Sequence, residues 1–429
     1  MSIQPKWYIC GLMFSATVIS YIDRQAFGLV APVVAKEFKF TNQDVALIAG
    51  SFLLAYAFGQ MGAGKAMDHL GNRRGFSLAI SIWSVAQVAT AMVSGVWSFA
   101  VCRFLLGVGE SGNFPGGVKV LAKWFSSTER SLAVGIFSSG GSVGAIVAPP
   151  LIAYITVHLG WRAAFVITGL LGFVWLIAWL IVYQPSKLVR AEEKMSQVRQ
   201  KAPAQQLVLS TSEGAQAIEP FQPRWVDLFR YRQVLGVTFA RFFEEPLAWF
   251  YLTWLPKYLV EFRNFDIMQM GVTLTIPYIT LDIGYIAGGW ISSRLMKTGY
   301  SVSVARKSVM VFSCLLMMCS IPAAFVDSPA LFIALVSVAT MAHGLWTANA
   351  LTLPADLVPQ GSIGSVYGIT ATGGGLGGFI FMQITGVVAD RTQSFDSLFV
   401  AIGLLPLIAA LLVVFGIGKV EMLEPKRSP

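Results

Sequence analysis

The chain has 429 residues, 55% of them hydrophobic and 12% charged, with a mean hydropathy of +0.66. A soluble domain carries about 25% charged residues, so soluble enzymes are excluded and an all-α, polytopic membrane protein is indicated. The net charge of +9 is spread over many short loops, which suits an anionic membrane leaflet and argues against a nucleic-acid partner.

A bilayer core needs roughly 20 apolar residues per helix. Runs of that size begin near Trp7, Val45, Gly75, Ser98, Ser131 and Trp161, then near Val234, Met268, Lys307, Pro329, Ser362 and Leu398. The pattern predicts twelve transmembrane helices in two six-helix halves, 1–184 and 233–429, joined by a polar cytoplasmic loop at 185–232. Basic residues gather in alternate loops: Lys65, Arg73 and Arg74, then Lys119, Lys123 and Arg130, then 185–232, then Arg294, Lys297, Arg306 and Lys307. Their bias places those loops and both termini in the cytoplasm. A partial repeat, Gly64 to Arg74 after the second run and Gly289 to Lys307 after the eighth, fits the parallel halves of a transporter.

Charges inside apolar runs are costly and point to function. The first run holds Asp23 and Arg24, the fourth Arg103 and Glu110, the seventh Arg241, Glu244 and Glu245, and the eighth Asp282. At about 1.5 Å per residue, Arg103 reaches the depth of Asp23 and is expected to pair with it, while Glu110 lies deeper, beside a cavity. Arginine grips a carboxylate with two parallel hydrogen bonds. A substrate carboxylate competing for such an arginine would release its acid to take up a proton, coupling anion to H⁺. The last four charges receive no assigned role. His69, His158 and His343 are far apart, so neither a metal site nor a catalytic constellation is expected.

In the first repeat, Gly64, Asp68, Gly71, Arg73 and Arg74 match G-x-x-x-D-x-x-G-x-R-R, which resembles the loop signature of the major facilitator superfamily. Arg103-x-x-x-Gly107-x-Gly109 resembles that superfamily's fourth-helix motif. Asp68 is expected to cap a neighbouring helix and pair with Arg73 or Arg74 as a cytoplasmic gate. Within the superfamily, Tyr21 to Arg24, Tyr56, Arg103 and Glu110, with Gly144 to Pro150 and Glu245 to Tyr258, resemble the anion:cation symporter family, which includes bacterial hexuronate, galactonate and glucarate carriers. The resemblance implies that Asp23 and Glu110 handle protons and that Arg24 and Tyr56 contact the substrate carboxylate. Arg103 partners the acids or the substrate. Glu244-Glu245 departs from the family, many of whose bacterial members have Asp before the seventh-helix proline.

The second half is expected to complete the cavity with uncharged groups: Trp249 as a stacking surface, His343, Trp346 and Asn349 on one helix face, and Thr370. The fifth run lacks the Gly-Pro-x-x-Gly-Gly run of proton antiporters, favouring symport. The expectation is a proton-coupled importer of a hexuronate in the bacterial inner membrane, a monomer using no cofactor but H⁺. An aldonate, aldarate, tartrate or aromatic acid is the alternative cargo. A drug antiporter would want an apolar cavity with isolated acids.

Overall fold

In the computed structural model, described for residues 5–125, 127–183, 225–358 and 362–423, every regular element is helical. The first half contains α1 (Pro5–Phe38), α2 (Asn42–Thr90), α3 (Val96–Glu110), α4 (Asn113–Trp124), α5 (Ser127–Leu159) and α6 (Trp161–Val182). A 3-10 turn at Trp225–Arg230 leads into α7 (Arg232–Glu244), α8 (Pro246–Glu261), α9 (Ile267–Lys297), α10 (Val302–Met317), α11 (Ser320–Ala323), α12 (Pro329–Ala350), α13 (Leu353–Leu357), α14 (Ile363–Thr392) and α15 (Asp396–Leu411). Most of the expected central loop lies outside the described residues.

Among the described residues, eight helical stretches are long and apolar enough to cross a membrane. The other expected runs fall in helices that are merged or broken. The second and third share α2, whose two legs meet at Gly71 with φ 73°, a left-handed conformation that glycine adopts at little cost. The fourth is divided between α3 and α4. The seventh breaks between Glu244 and Pro246, because proline cannot donate the helical hydrogen bond. That break carries Arg241, Glu244 and Glu245 into the bundle.

Within the first half α1 packs on α5 and α6, and α2 on α3 and α6; in the second, α9 packs on α12 and α7 on α14. The halves meet through α2 with α14, α5 with α9, and α1 with α8. Small residues let such helices approach closely where lipid supplies no hydrophobic drive. A Cβ on Gly284 would stand 2.0 Å from the Met341 carbonyl oxygen of α12, whereas one on Gly289 would meet nothing within 4 Å. We therefore expect Gly284→Ala to destabilise the second half by about 1–3 kcal/mol and Gly289→Ala to have little effect. Thermal unfolding in detergent, with equal loss in both variants as the contrary result, checks this.

At the end where α2 begins, the halves are tied by polar bonds. The Asn42 and Gln43 amides of α2 donate to the two oxygens of Asp390 on α14 at 2.8 and 2.9 Å, an anion set on a helix N-terminus. Lys257 of α8 donates to Asn42 at 2.7 Å, and Gln383 of α14 to the Ala46 carbonyl at 2.9 Å. At the first loop motif, Arg73 donates to the Leu180 carbonyl at 2.8 Å and Arg74 is exposed. The side chains of Asp68, His69 and residues 64–66 lie outside the described set, and with them the expected cap.

Candidate functional site

Between the halves lies a cavity of ≈ 270 Å³, walled by α1, α2, α4 and α5 on one side and by α7, α8, α9, α12 and α14 on the other. Arg24 of α1 opens onto it. Its Nε and Nη2 both donate to Glu110 Oε2 on α3, at 3.2 and 3.0 Å. Glu110 is wholly buried, and its Oε1 has no hydrogen-bond partner. The guanidinium also sits 4.5 Å from the Tyr56 ring centre and 4.7 Å from that of Tyr21, faces that attract a cation. Arg24, Glu110 and Tyr56 are thus brought together, whereas the helix-rise reading pairs Arg103 with Asp23 and sets Glu110 deeper.

Arg103 behaves differently. It does not pair with the Asp23 carboxylate: Nη1 and Nη2 donate to the backbone carbonyls of Asp23 and Arg24 at 3.3 and 3.0 Å. Arg103 stands behind Arg24, away from the main cavity, and fixes the stretch of α1 that presents it. Both Asp23 oxygens are buried without a hydrogen-bond partner, turned toward Gln87 of α2 and Thr168 of α6, which bond to each other at 2.9 Å. Asp23 therefore reaches the cavity only through its neighbours.

The second half corrects the sequence reading most. Its wall is charged: Arg241 and Glu245 line the cavity beside His343. Arg241 Nε and Nη2 donate to Glu245 Oε1 at 3.2 and 2.6 Å, and Nη1 is buried without a partner. Glu244 faces the other way and holds His343 Nδ1 at 2.6 Å. Trp249 lines the cavity as expected, joined by Tyr251.

Trp346, Asn349 and Thr370 are not in the wall. A residue three on along a helix is rotated by about 60° from its predecessor and six on by about 120°, so His343, Trp346 and Asn349 cannot all look into one cavity. The face of α12 that does is Thr340, His343 and Thr347. Trp346 is buried in the core, and Asn349 donates to the Gly288 and Leu345 carbonyls at 3.3 and 2.9 Å. Thr370 turns onto the Tyr367 carbonyl at 3.0 Å, leaving Tyr367 and Ala371 in the wall. Gln25, Gln60, Tyr278, Tyr285 and Tyr367 add polar groups among apolar ones. Sequence reasoning singled out Arg241 and Glu245 but gave them no role; their i, i+4 spacing just before Pro246 is the signal that they form a pair.

The result is an amphiphilic chamber between two helical halves with buried arginines turned inward, of a size and polarity that fit a small ligand. The profile of the Major Facilitator Superfamily matches residues 13–382. The hexuronate transporter of Escherichia coli K12 is 28% identical over 413 residues, covering 95% of this chain and 93% of that protein. A "Probable galactarate/D-glucarate transporter" of Bacillus subtilis is 28% identical over 440 residues, covering 99% and 95%. A bacterial homologue of the human lysosomal transporter Spinster shares the fold, with a TM-score of 0.76 and 15% identity over 97% of both chains. The chain belongs to the major facilitator superfamily and is a membrane transporter, not an enzyme.

Proposed function

We propose that the protein is a proton-coupled symporter that imports a small organic anion of the sugar-acid class across a bacterial inner membrane. In this reading its twelve spans form two halves, 1–184 and 233–429, with both termini cytoplasmic. The observation that carries it is the buried Arg24–Glu110 pair whose arginine opens onto the cavity. A cargo carboxylate competes with Glu110 for Arg24. Once released, a carboxylate in low dielectric binds a proton, so cargo and proton load together. Asp23, buried without an ionic partner, holds a second proton near Glu110. The halves then rock about the site, and the outward-high proton gradient favours loading outside. Cargo hydroxyls would meet Gln25, Gln60, Tyr278 and Tyr367, and a sugar-acid backbone would stack on Trp249.

The sugar-acid carriers among the relatives support this class of cargo, with a hexuronate as the expectation from sequence. A drug antiporter fits poorly, because two arginines face the cavity. The test is uptake of labelled glucuronate, galactonate and galactarate by proteoliposomes with and without an inward proton gradient. Accumulation of one of them that a protonophore collapses is expected. Uptake of none, with reconstitution verified, would overturn the reading.

With the termini inside, the Asp390 bonds on α2 close the outer end. Asp390→Asn removes the charge from two helix-terminal hydrogen bonds, worth about 1–2 kcal/mol, and should raise the outward-open population about five- to thirtyfold. Spin labels replacing Lys39 and Gln393 would read this as a longer distance; an unchanged distribution would deny Asp390 that role.

A further inference from the structure

Two arginines, one from each half, face the same cavity, and the organic-acid reading above employs only Arg24. Arg241 is the other. Its side chain is 8% exposed, and it stands one turn before the break at Pro246, where the helix opens toward the cargo. Its geometry repeats that of Arg24. In both, Nε and Nη2 converge on a single glutamate oxygen, so neither pair is the two-against-two fork that an arginine makes with a carboxylate at its best. Each pair leaves buried capacity unused: Oε1 on Glu110 and Nη1 on Arg241. A buried donor without an acceptor is costly, and Glu244 does not serve Nη1: its Oε1 holds His343 and its Oε2 has no hydrogen-bond partner. The two sites lie close through the cavity, since Tyr367 of the second half is an electrostatic neighbour of Arg241 and also of Tyr21 and Tyr56, the rings that hold Arg24.

Resting on the organic-acid reading, we propose that the preferred cargo is a dianion with an acid group at each end, one taken by Arg24 and the other by Arg241. Each acid displaces one glutamate, Glu110 on the first wall and Glu245 on the second. The two freed carboxylates can each take one proton, one for each charge of the cargo and in addition to the proton on Asp23. A one-acid sugar derivative opens only one pair. It leaves Arg241 on Glu245 and forfeits that half of the recognition.

Equilibrium binding to the purified full-length protein, with three acids of one carbon skeleton, tests this. Galactarate carries two carboxylates; galacturonate and galactonate carry one each. Galactarate is expected to bind at least about tenfold more tightly than either. The Arg241→Gln/Glu245→Gln double variant removes the second pair without leaving an unpaired charge, and the ratio of galactarate to galacturonate affinity should fall to about one. Equal affinities in the unaltered protein, tighter binding of a one-acid sugar, or a ratio that survives in the double variant would each overturn the dianion proposal alone. Binding of none of the three acids would overturn the organic-acid reading, and the dianion proposal with it.

Discussion

Replacing Arg24 by alanine will abolish uptake, by at least about a hundredfold, while the protein still reaches the membrane. Arg24 supplies two charge-assisted hydrogen bonds, at 3.2 and 3.0 Å, and each such bond is worth about 1.5–3 kcal/mol. When a cargo carboxylate takes Glu110's place, those are the bonds it gains. The obvious confusion is with stability, because removing one partner of a buried ion pair costs about 3–5 kcal/mol when the other stays charged. The Arg24→Ala/Glu110→Gln variant separates the effects. It carries no unpaired charge, so its folding should recover while its uptake stays absent. Arg24→Lys keeps the charge and loses the planar fork, and an intermediate defect is expected. Near-normal uptake by Arg24→Ala, in membranes containing normal amounts of protein, would remove Arg24 from the binding site.

How much of this was legible in the sequence depends on what each residue answers to. A charge in an apolar run announces itself, because lipid cannot tolerate it unpaired; hence Asp23, Arg24, Arg103, Glu110 and the seventh-run charges were all visible. Their partners were not equally so. Arg24 meets a side chain, Glu110, although helix rise sets Glu110 deeper than Asp23 and Arg24. Arg103 meets two backbone carbonyls, which leave no trace in residue identity. Trp346, Asn349 and Thr370 were misplaced because spacing fixes which residues share a helix face, while the neighbouring helices decide which face looks inward. The latch between Asp390 and the start of α2 joins residues 348 positions apart, and no local pattern foretells it. Arg241 and Glu245 were passed over for the opposite reason. They satisfy each other within one helical turn, and only the break at Pro246 turns the pair toward the cavity.

Glu110→Gln separates coupling from binding. The amide has the shape of a protonated carboxyl and no charge, and its oxygen can still accept from Arg24. The variant is therefore fixed in the state that loading is meant to create. Cargo should still bind, since Arg24 no longer has an anion to give up, and exchange of internal for external cargo should continue. Proton-driven accumulation should drop. An inward gradient of one pH unit is worth about 1.36 kcal/mol per proton, roughly a tenfold factor in the accumulation ratio, and that factor should be lost if Glu110 carries a coupled proton. Asp23→Asn is the informative companion. The Asp23 carboxylate lies outside the cavity wall and has no hydrogen-bond partner, so its neutralisation should leave cargo affinity nearly intact and act on accumulation alone. If the gradient-driven ratio survived in Glu110→Gln and vanished in Asp23→Asn, the coupled proton would sit on Asp23. Arg103, whose Nη1 holds the Asp23 carbonyl while Nη2 holds that of Arg24, would then be the link between proton and cargo.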